Sequence, residues 1–312
     1  MIEAPACVPE AEAIGLIGVG LVGSGLAALL LERGYRVVGC DIDPERATKL
    51  AEMGGIAVAS PAAVVAAGCD RVVLSLMTTA SACQVVEGTD GLLSVDRLPG
   101  YIIDTTTGDP DETVALAARL ADMGVVYVDA TISGSSEQIR ARAGTFMVGC
   151  DAEAFAHHRD LFDCFSDRVY HLGPAGSGSR CKLASNLILG LNRLALAEGL
   201  VFAEGLGLDL DVFLTVLKNS PAYSAAVDAK GQRMLDGAFA PASRISQHAK
   251  DVELILSYAD RAGQILPLSA VHGELLAGSV AAGDGALDNG AIIRQVRRLC
   301  GQQQNLNADG AE

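Results

Sequence analysis

The chain has 312 residues, of which 50% are hydrophobic and 20% are charged, a composition typical of globular proteins. Its formal net charge of −15 repels nucleic-acid backbones and acidic membrane surfaces, so we expect neither nucleic acid nor a membrane as a partner. At roughly 100–200 residues per domain, this length predicts two domains.

Several features of the sequence favour a cytoplasmic location. The first thirteen residues are acidic and lack the basic segment and apolar run of a signal peptide. No apolar run approaches the ~20 residues that are needed to span a bilayer. The eight cysteines are scattered without a Cys-x-x-Cys pair, so we expect reduced thiols rather than disulfides or a zinc site. The five histidines likewise show no metal-ligand spacing, and no metal is predicted.

The first half of the chain alternates short β-branched runs with helical patterns. The predicted strands are Ala13–Val19, Arg36–Asp41, Arg71–Leu76, Tyr101–Asp104, Val125–Ala130 and Thr145–Val148. The predicted helices are Leu21–Glu32, Pro44–Met53 and Pro110–Met123. Such alternation predicts right-handed crossovers and an α/β Rossmann-type, doubly wound parallel sheet. Asp43 and Asp109 each precede a proline and are therefore predicted helix N-caps.

The pattern changes near Gly173, after which a glycine-rich loop leads into helices. These helices are predicted at Ser179–Leu206, Leu210–Lys218, Ala225–Leu235, Ser246–Ala262 and Pro267–Ala282, with a frayed polar tail from Gly301. We therefore predict a dinucleotide-binding domain over residues 1–172. An all-α substrate and oligomerisation domain, which begins with a long interdomain helix, would follow over residues 173–312.

The strongest local motif is Gly-x-Gly-x-x-Gly at Gly18, Gly20 and Gly23, between the first predicted strand and helix. The first glycine permits the tight turn, the second lets a pyrophosphate approach the backbone, and the third allows close packing of helix and sheet. The N–H groups at the helix start, including those of Leu21 and Val22, would then face the anion. This context predicts a nicotinamide dinucleotide as the cofactor.

Asp41 ends the second predicted strand, where a carboxylate accepts hydrogen bonds from the adenosine ribose and repels a 2′-phosphate. NAD is therefore favoured over NADP. Asp43 is the competing acid, although it fits a helix cap better. Arg46, one turn further on, is expected to be solvated.

Four further segments, in this order, resemble the β-hydroxyacid dehydrogenase family of 3-hydroxyisobutyrate dehydrogenase and tartronate semialdehyde reductase. They are Asp104–Pro110, Asp129–Ser135, Gly176–Asn186 and Lys250–Leu254. With the glycine loop, they extend the resemblance from Ile14 to about Leu299. The resemblance implies that Thr106 lies beside the nicotinamide and its ribose. It also makes Met77 and Lys250 candidate cofactor contacts.

The resemblance also implies the substrate site. Ser133 and Gly134 would offer a hydroxyl and backbone N–H groups to a substrate carboxylate, with Ser135 beside them. Thr131 stands where the family has proline, and Ser135 stands where it has a second glycine, so the identity of the substrate stays open. The arginines at positions 140 and 142 follow in a loop that is more often solvated than substrate-binding.

Lys182 and Asn186 match the family's lysine and asparagine at the start of the interdomain helix. Their spacing of four places them on one helix face. The resemblance implies that Lys182 is the general base in alcohol oxidation and the general acid in carbonyl reduction. Asn186 would orient the reacting oxygen.

These assignments predict an oxidoreductase that transfers a hydride between NAD and a small 3-hydroxy carboxylic acid, similar to 3-hydroxyisobutyrate, or its semialdehyde. The alternatives are an imine-reductase-like relative and a dinucleotide-binding protein without catalysis. Imine-reducing relatives generally lack a lysine at this position, so Lys182 argues against the first. The long apolar helix predicts a homodimer or homotetramer.

Overall fold

The computed structural model describes residues 12–309, and their side chains as far as Gly301. The acidic segment considered as a possible leader, together with Cys7, falls almost wholly outside the described residues. The model divides into two compact units, one ending at Lys182 and the other beginning at Leu183. The sequence instead places its domain boundary at Gly173, where the loop before the long helix begins.

The first unit is built on one eight-stranded sheet with the order β3-β2-β1-β4-β5-β6-β7-β8. Its strands are β1 Ala13–Ile17, β2 Arg36–Cys40, β3 Ile56–Ala57, β4 Arg71–Leu74, β5 Tyr101–Asp104, β6 Val126–Ser133, β7 Thr145–Gly149 and β8 Arg168–His171. The order reverses between β1 and β4, as in doubly wound sheets, whose ligands bind beyond the carboxyl ends of the strands. All neighbours pair in parallel except β6 and β7.

Helices cover the two faces of this sheet and bury its alternating side chains. They are α1 Leu21–Glu32, α2 Pro44–Glu52, α3 Pro61–Ala66, α4 Thr79–Glu87, α5 Pro110–Ala121, α6 Ser136–Arg140, α7 Ala152–His157 and α8 Arg159–Phe165. Asp43 and Asp109 accept hydrogen bonds from the first backbone N–H groups of α2 and α5, which confirms both predicted caps. One core cluster contains Leu30 and Phe146, and a second contains Val72 and Ile102.

The second unit is helical and has its own core, which includes Leu200, Met234 and Ile292. Its helices are α9 Ser177–Gly205 (whose first turns belong to the first unit), α10 Leu210–Lys218, α11 Gln232–Asp236, α12 Ile245–Arg261, α13 Pro267–Ala281 and α14 Ile292–Asp309. A π-helical turn spans Val227–Gly231, and a 3-10 turn spans Asn289–Ala291. The helix α14 replaces the frayed tail predicted from Gly301, because its backbone continues in helical geometry to Asp309.

Length and composition alone would allow α9 to cross a membrane. Half of its most apolar window is buried inside the fold, and its buried positions include Lys182, Asn186 and Arg193. Buried polar side chains along a half-buried helix are typical of a core helix in a folded domain.

Candidate active site

The glycine loop follows β1 and opens α1. Gly18 has φ +89°, and a side chain there would lie 2.3 Å from the Ser75 carbonyl oxygen. A Cβ at Gly23 would lie 2.0 Å from the Gly18 carbonyl oxygen. Both positions therefore require glycine for the fold of the loop itself.

Gly20 differs from the other two glycines of the loop. Its own Cβ would meet only the Arg46 guanidinium, at 3.7 Å, so the space in front of its backbone is open. Gly20 is also the N-cap of α1 and provides no side-chain hydrogen bond, and the first turn of α1 has no acidic residue. An open backbone in front of an uncapped helix start fits the pyrophosphate of a dinucleotide.

Asp41 follows β2 and lies against this loop. Its Oδ2 accepts a hydrogen bond of 2.6 Å from the Val19 N–H, and its Oδ1 accepts one of 2.9 Å from the Asp43 N–H. Arg46 is not merely solvated as predicted: its guanidinium lies 3.2 Å from the Asp43 carboxylate and 3.7 Å from that of Asp41. The side chain of Ile42 is fully exposed between the two acids.

Thr106 and Met77 lie at the carboxyl edge of the sheet, after β5 and β4. The Thr106 hydroxyl accepts a hydrogen bond of 3.2 Å from the Leu76 N–H, while the Met77 side chain is 57% exposed. The Thr106 N–H donates to Asp104 at 2.8 Å. Burial raises the pKa of Asp104, although the hydrogen bonds from Thr106 and Tyr127 oppose this shift.

Strand β6 runs three residues beyond its predicted end, so it includes Ser133. Gly134 follows with φ +155° and passes close to the Gly144 backbone. The Ser135 hydroxyl accepts from the Gln138 N–H, and the Ser135 N–H donates to the Gln138 side chain. These two bonds form a capping box at α6, so Ser135 has a local structural role in addition to the predicted one.

Lys182 is buried in the second turn of α9. Its Nζ donates a hydrogen bond of 2.5 Å to the carbonyl oxygen of Ile132, the residue before Ser133. The first unit therefore brings the predicted catalytic lysine to the strand end that carries the predicted substrate-binding residues. Arg142, by contrast, donates to the Asp163 carbonyl and to Asp167, which ties it to its own loop.

In the helical unit, Asn186 and Lys250 meet at one carboxylate. The Asn186 Nδ2 donates to Asp251 Oδ2 at 3.2 Å, and the Lys250 Nζ lies 3.1 Å from Asp251 Oδ1. Sequence reasoning assigned no role to Asp251, although its position beside Lys250 could have indicated one. Within the described residues, no three His, Cys, Asp or Glu side chains group together as metal ligands do.

Comparisons with known proteins cover both units. Residues 13–173 match the family model of the NAD binding domain of 6-phosphogluconate dehydrogenase. Residues 176–296 match the model described as NAD-binding of NADP-dependent 3-hydroxyisobutyrate dehydrogenase. The two matched ranges meet at the glycine-rich loop before α9.

Three individual proteins resemble the chain over nearly its whole length. It is 32% identical to L-threonate dehydrogenase of Cupriavidus necator, over 90% of this chain and 95% of that protein. It is 30% identical to 2-hydroxy-3-oxopropionate reductase of Escherichia coli, over 92% and 97% respectively. The crystal structure of 3-hydroxyisobutyrate dehydrogenase from Salmonella typhimurium superposes with a TM-score of 0.82 at 26% identity, covering 90% of this chain and 99% of that one.

Proposed function

The chain belongs to the β-hydroxyacid dehydrogenase family, and we propose that it transfers a hydride between NAD and a small 3-hydroxy carboxylic acid or its semialdehyde. The observation that carries this proposal is the buried Lys182, whose Nζ is bound to the carbonyl that precedes Ser133 and Gly134. A proton-transfer group beside a carboxylate-binding strand end is what oxidation of a hydroxyacid requires.

The bound cofactor would supply the hydride acceptor or donor. In the oxidation direction, Lys182 takes the proton of the substrate hydroxyl, and in the reduction direction it returns that proton to the carbonyl oxygen. Asn186, held by Asp251, would orient the reacting oxygen. Thr106 and Lys250 would lie at the nicotinamide end of the cofactor, and Met77 would be a further cofactor contact.

The substrate carboxylate would be held by the Ser133 hydroxyl and by backbone N–H groups around Gly134. Ser135 contributes less in this proposal, because its N–H and hydroxyl are hydrogen-bonded to Gln138. The proposed substrate class is short 3-hydroxyacids. Activity on hydroxyisobutyrate, glycerate, threonate and serine, measured as NAD reduction, would separate the members of this class.

NAD is proposed over NADP because of the charges around the end of β2. Asp41 and Asp43 place two carboxylates against the single Arg46 guanidinium, so a 2′-phosphate would meet a net negative charge. We expect a higher kcat/KM with NAD than with NADP. In Asp41→Ala, the preference for NAD, measured as the kcat/KM with NAD divided by that with NADP, should be smaller. Activity with NADP alone would overturn this assignment.

A homodimer or homotetramer in the cytoplasm is proposed as the working form. The helical unit exposes large apolar side chains at Ile188, Phe202, Leu206 and Val212. Phe202 and Leu206 line one common surface depression, and a contiguous exposed apolar patch is typical of protein interfaces. Sedimentation at several protein concentrations would test the assembly, and a monomer at all of them would contradict it.

The central experiment is Lys182→Ala. Its kcat should fall by about 10³-fold, because positioned acid–base groups contribute on this order. Its affinity for NADH, followed by fluorescence, should not change. Lys218→Ala is the matched control, since that lysine is exposed on α10. Near-normal turnover by Lys182→Ala would remove this residue from the mechanism.

A further inference from the structure

Strand β6 holds the beginning of α9 through a buried carboxylate. Asp129 is 1% exposed, and its Oδ2 accepts hydrogen bonds from the N–H groups of Gly176 at 3.1 Å and Ser179 at 2.8 Å. Its Oδ1 accepts a third bond, of 2.9 Å, from the Ser179 hydroxyl. The first N–H groups of a helix need such acceptors, and here they come from a strand 50 residues earlier.

A second residue of the same strand, Thr131, binds the same turn of the helix. The buried Thr131 hydroxyl donates a hydrogen bond of 3.0 Å to the Gly178 carbonyl oxygen. A Cβ at Gly178 would lie 2.4 Å from the Met147 carbonyl oxygen, so the helix start lies directly on the sheet. Proline, which the family resemblance would place at 131, has no hydroxyl to make this bond.

The third contact in this series is the bond from Lys182 Nζ to the Ile132 carbonyl oxygen. Asp129, Thr131 and Ile132 thus all form hydrogen bonds to the first two turns of α9. The first two bind the helix backbone within one turn of Lys182. Because an α-helix is rigid over a single turn, the position and rotation of the helix at Ser179 determine where the Lys182 side chain leaves it.

We propose that Asp129 and Thr131 are positioning residues for Lys182: their bonds to the first turn of α9 set the place of the Lys182 amine beside Ser133. This proposal rests on the proposed function, since it gives Lys182 the proton-transfer role. Proton transfer needs heavy atoms within hydrogen-bond distance, so a displaced helix start lowers kcat, while the glycine loop after β1 and Asp41 after β2 keep their places.

The first test is Thr131→Val, which removes one hydroxyl and keeps the side-chain shape. We expect kcat to fall by about tenfold, since small misplacements of catalytic groups are costly. The dissociation constant for NADH should not change. Thr105→Val is the matched control, because the buried Thr105 hydroxyl donates its hydrogen bond to the Leu74 carbonyl oxygen of the sheet rather than to α9.

The second test uses the pH dependence of kcat in Asp129→Asn. Burial raises the pKa of Asp129 to about 6, and the nearby Asp104 carboxylate adds to this shift. The other titratable groups that sense Asp129 are Tyr127 on the same strand and Cys150 after β7. A protonated carboxyl accepts fewer hydrogen bonds, so wild-type kcat for carbonyl reduction, the direction in which Lys182 acts as the protonated acid, should fall below about pH 6. Asp129→Asn should have a lower kcat that lacks this decline. Ser179→Ala, which removes one of the three bonds, gives a milder variant should the first unfold.

The outcomes separate this proposal from the function on which it rests. A lowered kcat in Thr131→Val and Ser179→Ala, with unchanged NADH affinity and a normal Thr105→Val, supports positioning. If Thr131→Val and Ser179→Ala keep the wild-type kcat while Lys182→Ala is inactive, the positioning role of Asp129 and Thr131 is overturned. The proposed hydroxyacid dehydrogenase function is then unaffected. An equal loss of kcat in Thr131→Val and Thr105→Val would also overturn it, because general destabilisation would then suffice. Normal turnover by Lys182→Ala would overturn both.

Discussion

Each of the two units contains a buried aspartate, and the two carboxylates differ in the charge of the groups that donate hydrogen bonds to them. Asp129 in the first unit is 1% exposed, and Asp288 in the helical unit is 0% exposed. The donors to Asp129 are neutral N–H and O–H groups, and burial raises its pKa to about 6. Asp288 is also desolvated, but the Lys230 ammonium at 2.7 Å and further backbone N–H groups outweigh this effect and lower its pKa.

Two helical glycines, one in each unit, also differ in their surroundings. A Cβ at Gly23 would collide with the Gly18 backbone, whereas a Cβ at Gly199 in α9 would meet nothing within 4 Å. Asp284, also in the helical unit, is likewise paired with cations, the guanidinium groups of Arg294 and Arg298. Two equally buried aspartates therefore have pKa values shifted in opposite directions, because one has neutral hydrogen-bond donors and the other has cationic partners.

The largest effect is expected for Gly23→Ala. The added methyl group must displace the loop or α1, which should lower the free energy of unfolding by roughly 3 kcal/mol. The dissociation constant for NADH should rise by about 100-fold or more, because the loop no longer fits a pyrophosphate. Fluorescence titration and urea unfolding measure both quantities. Wild-type affinity in this variant would contradict the structural reason given for Gly23.

The next largest effect is a loss of stability that should be greater in Asp288→Asn than in Asp129→Asn. Removing the anion of a buried ion pair leaves Lys230 uncompensated, so the free energy of unfolding should fall by roughly 3 kcal/mol at pH 7. Asp129→Asn removes a desolvated charge that has no cation among its hydrogen-bond donors, and should cost only about 1 kcal/mol. Urea unfolding at one pH measures both. Equal losses would contradict the contrast between the two carboxylates.

The pH dependence of the same two variants provides the third prediction. The pKa of Asp129 is raised in the folded state, so the folded protein binds the proton more tightly and wild type gains stability as pH falls from about 6 towards 4. Relative to Asp129→Asn, this gain should be about 2 kcal/mol. The pKa of Asp288 is lowered, so its contribution is retained above the ordinary aspartate pKa and lost only at lower pH. The difference between wild type and Asp288→Asn should therefore stay constant from pH 7 to pH 4. A matching slope for both variants would refute the assignment.

The smallest effect is expected for Gly199→Ala, with the opposite sign to Gly23→Ala. Alanine in an open helix interior should raise the free energy of unfolding by about 0.5–1 kcal/mol. Turnover and NADH affinity should match wild type. Thermal unfolding checks the sign, and a loss of stability would show that Gly199 is packed in the assembled protein.

Much of the first unit could be predicted from local patterns. The bounds of α1 agree with the prediction because Gly20 precedes the helix and Gly34 follows it. The doubly wound parallel sheet is confirmed, but the antiparallel pairing of β7 with β6 was not anticipated. The stretch between Ser133 and Thr145 contains only a short helix, which is too little chain for a parallel crossover.

Other elements were missed for identifiable reasons. Strand β3 has only two residues, and β8 is largely exposed, so neither has a clear apolar alternation. Helix α14 does show apolar positions at Ile293, Val296 and Leu299, and this spacing could have indicated it. Asp251 has no local signal beyond its neighbour Lys250, because its partner Asn186 is distant in the chain.

The sequence by itself determined the succession of the elements, the glycine loop, the caps and the motifs that identify the family. These features depend on residues within a few positions of each other, where backbone geometry and helix ends impose local rules. Only the tertiary structure decided which motifs meet: Asp129 with Ser179, and Lys182 with Ile132. Those contacts join residues 50 positions apart, and no local pattern encodes a bond that exists only once strand and helix have packed together.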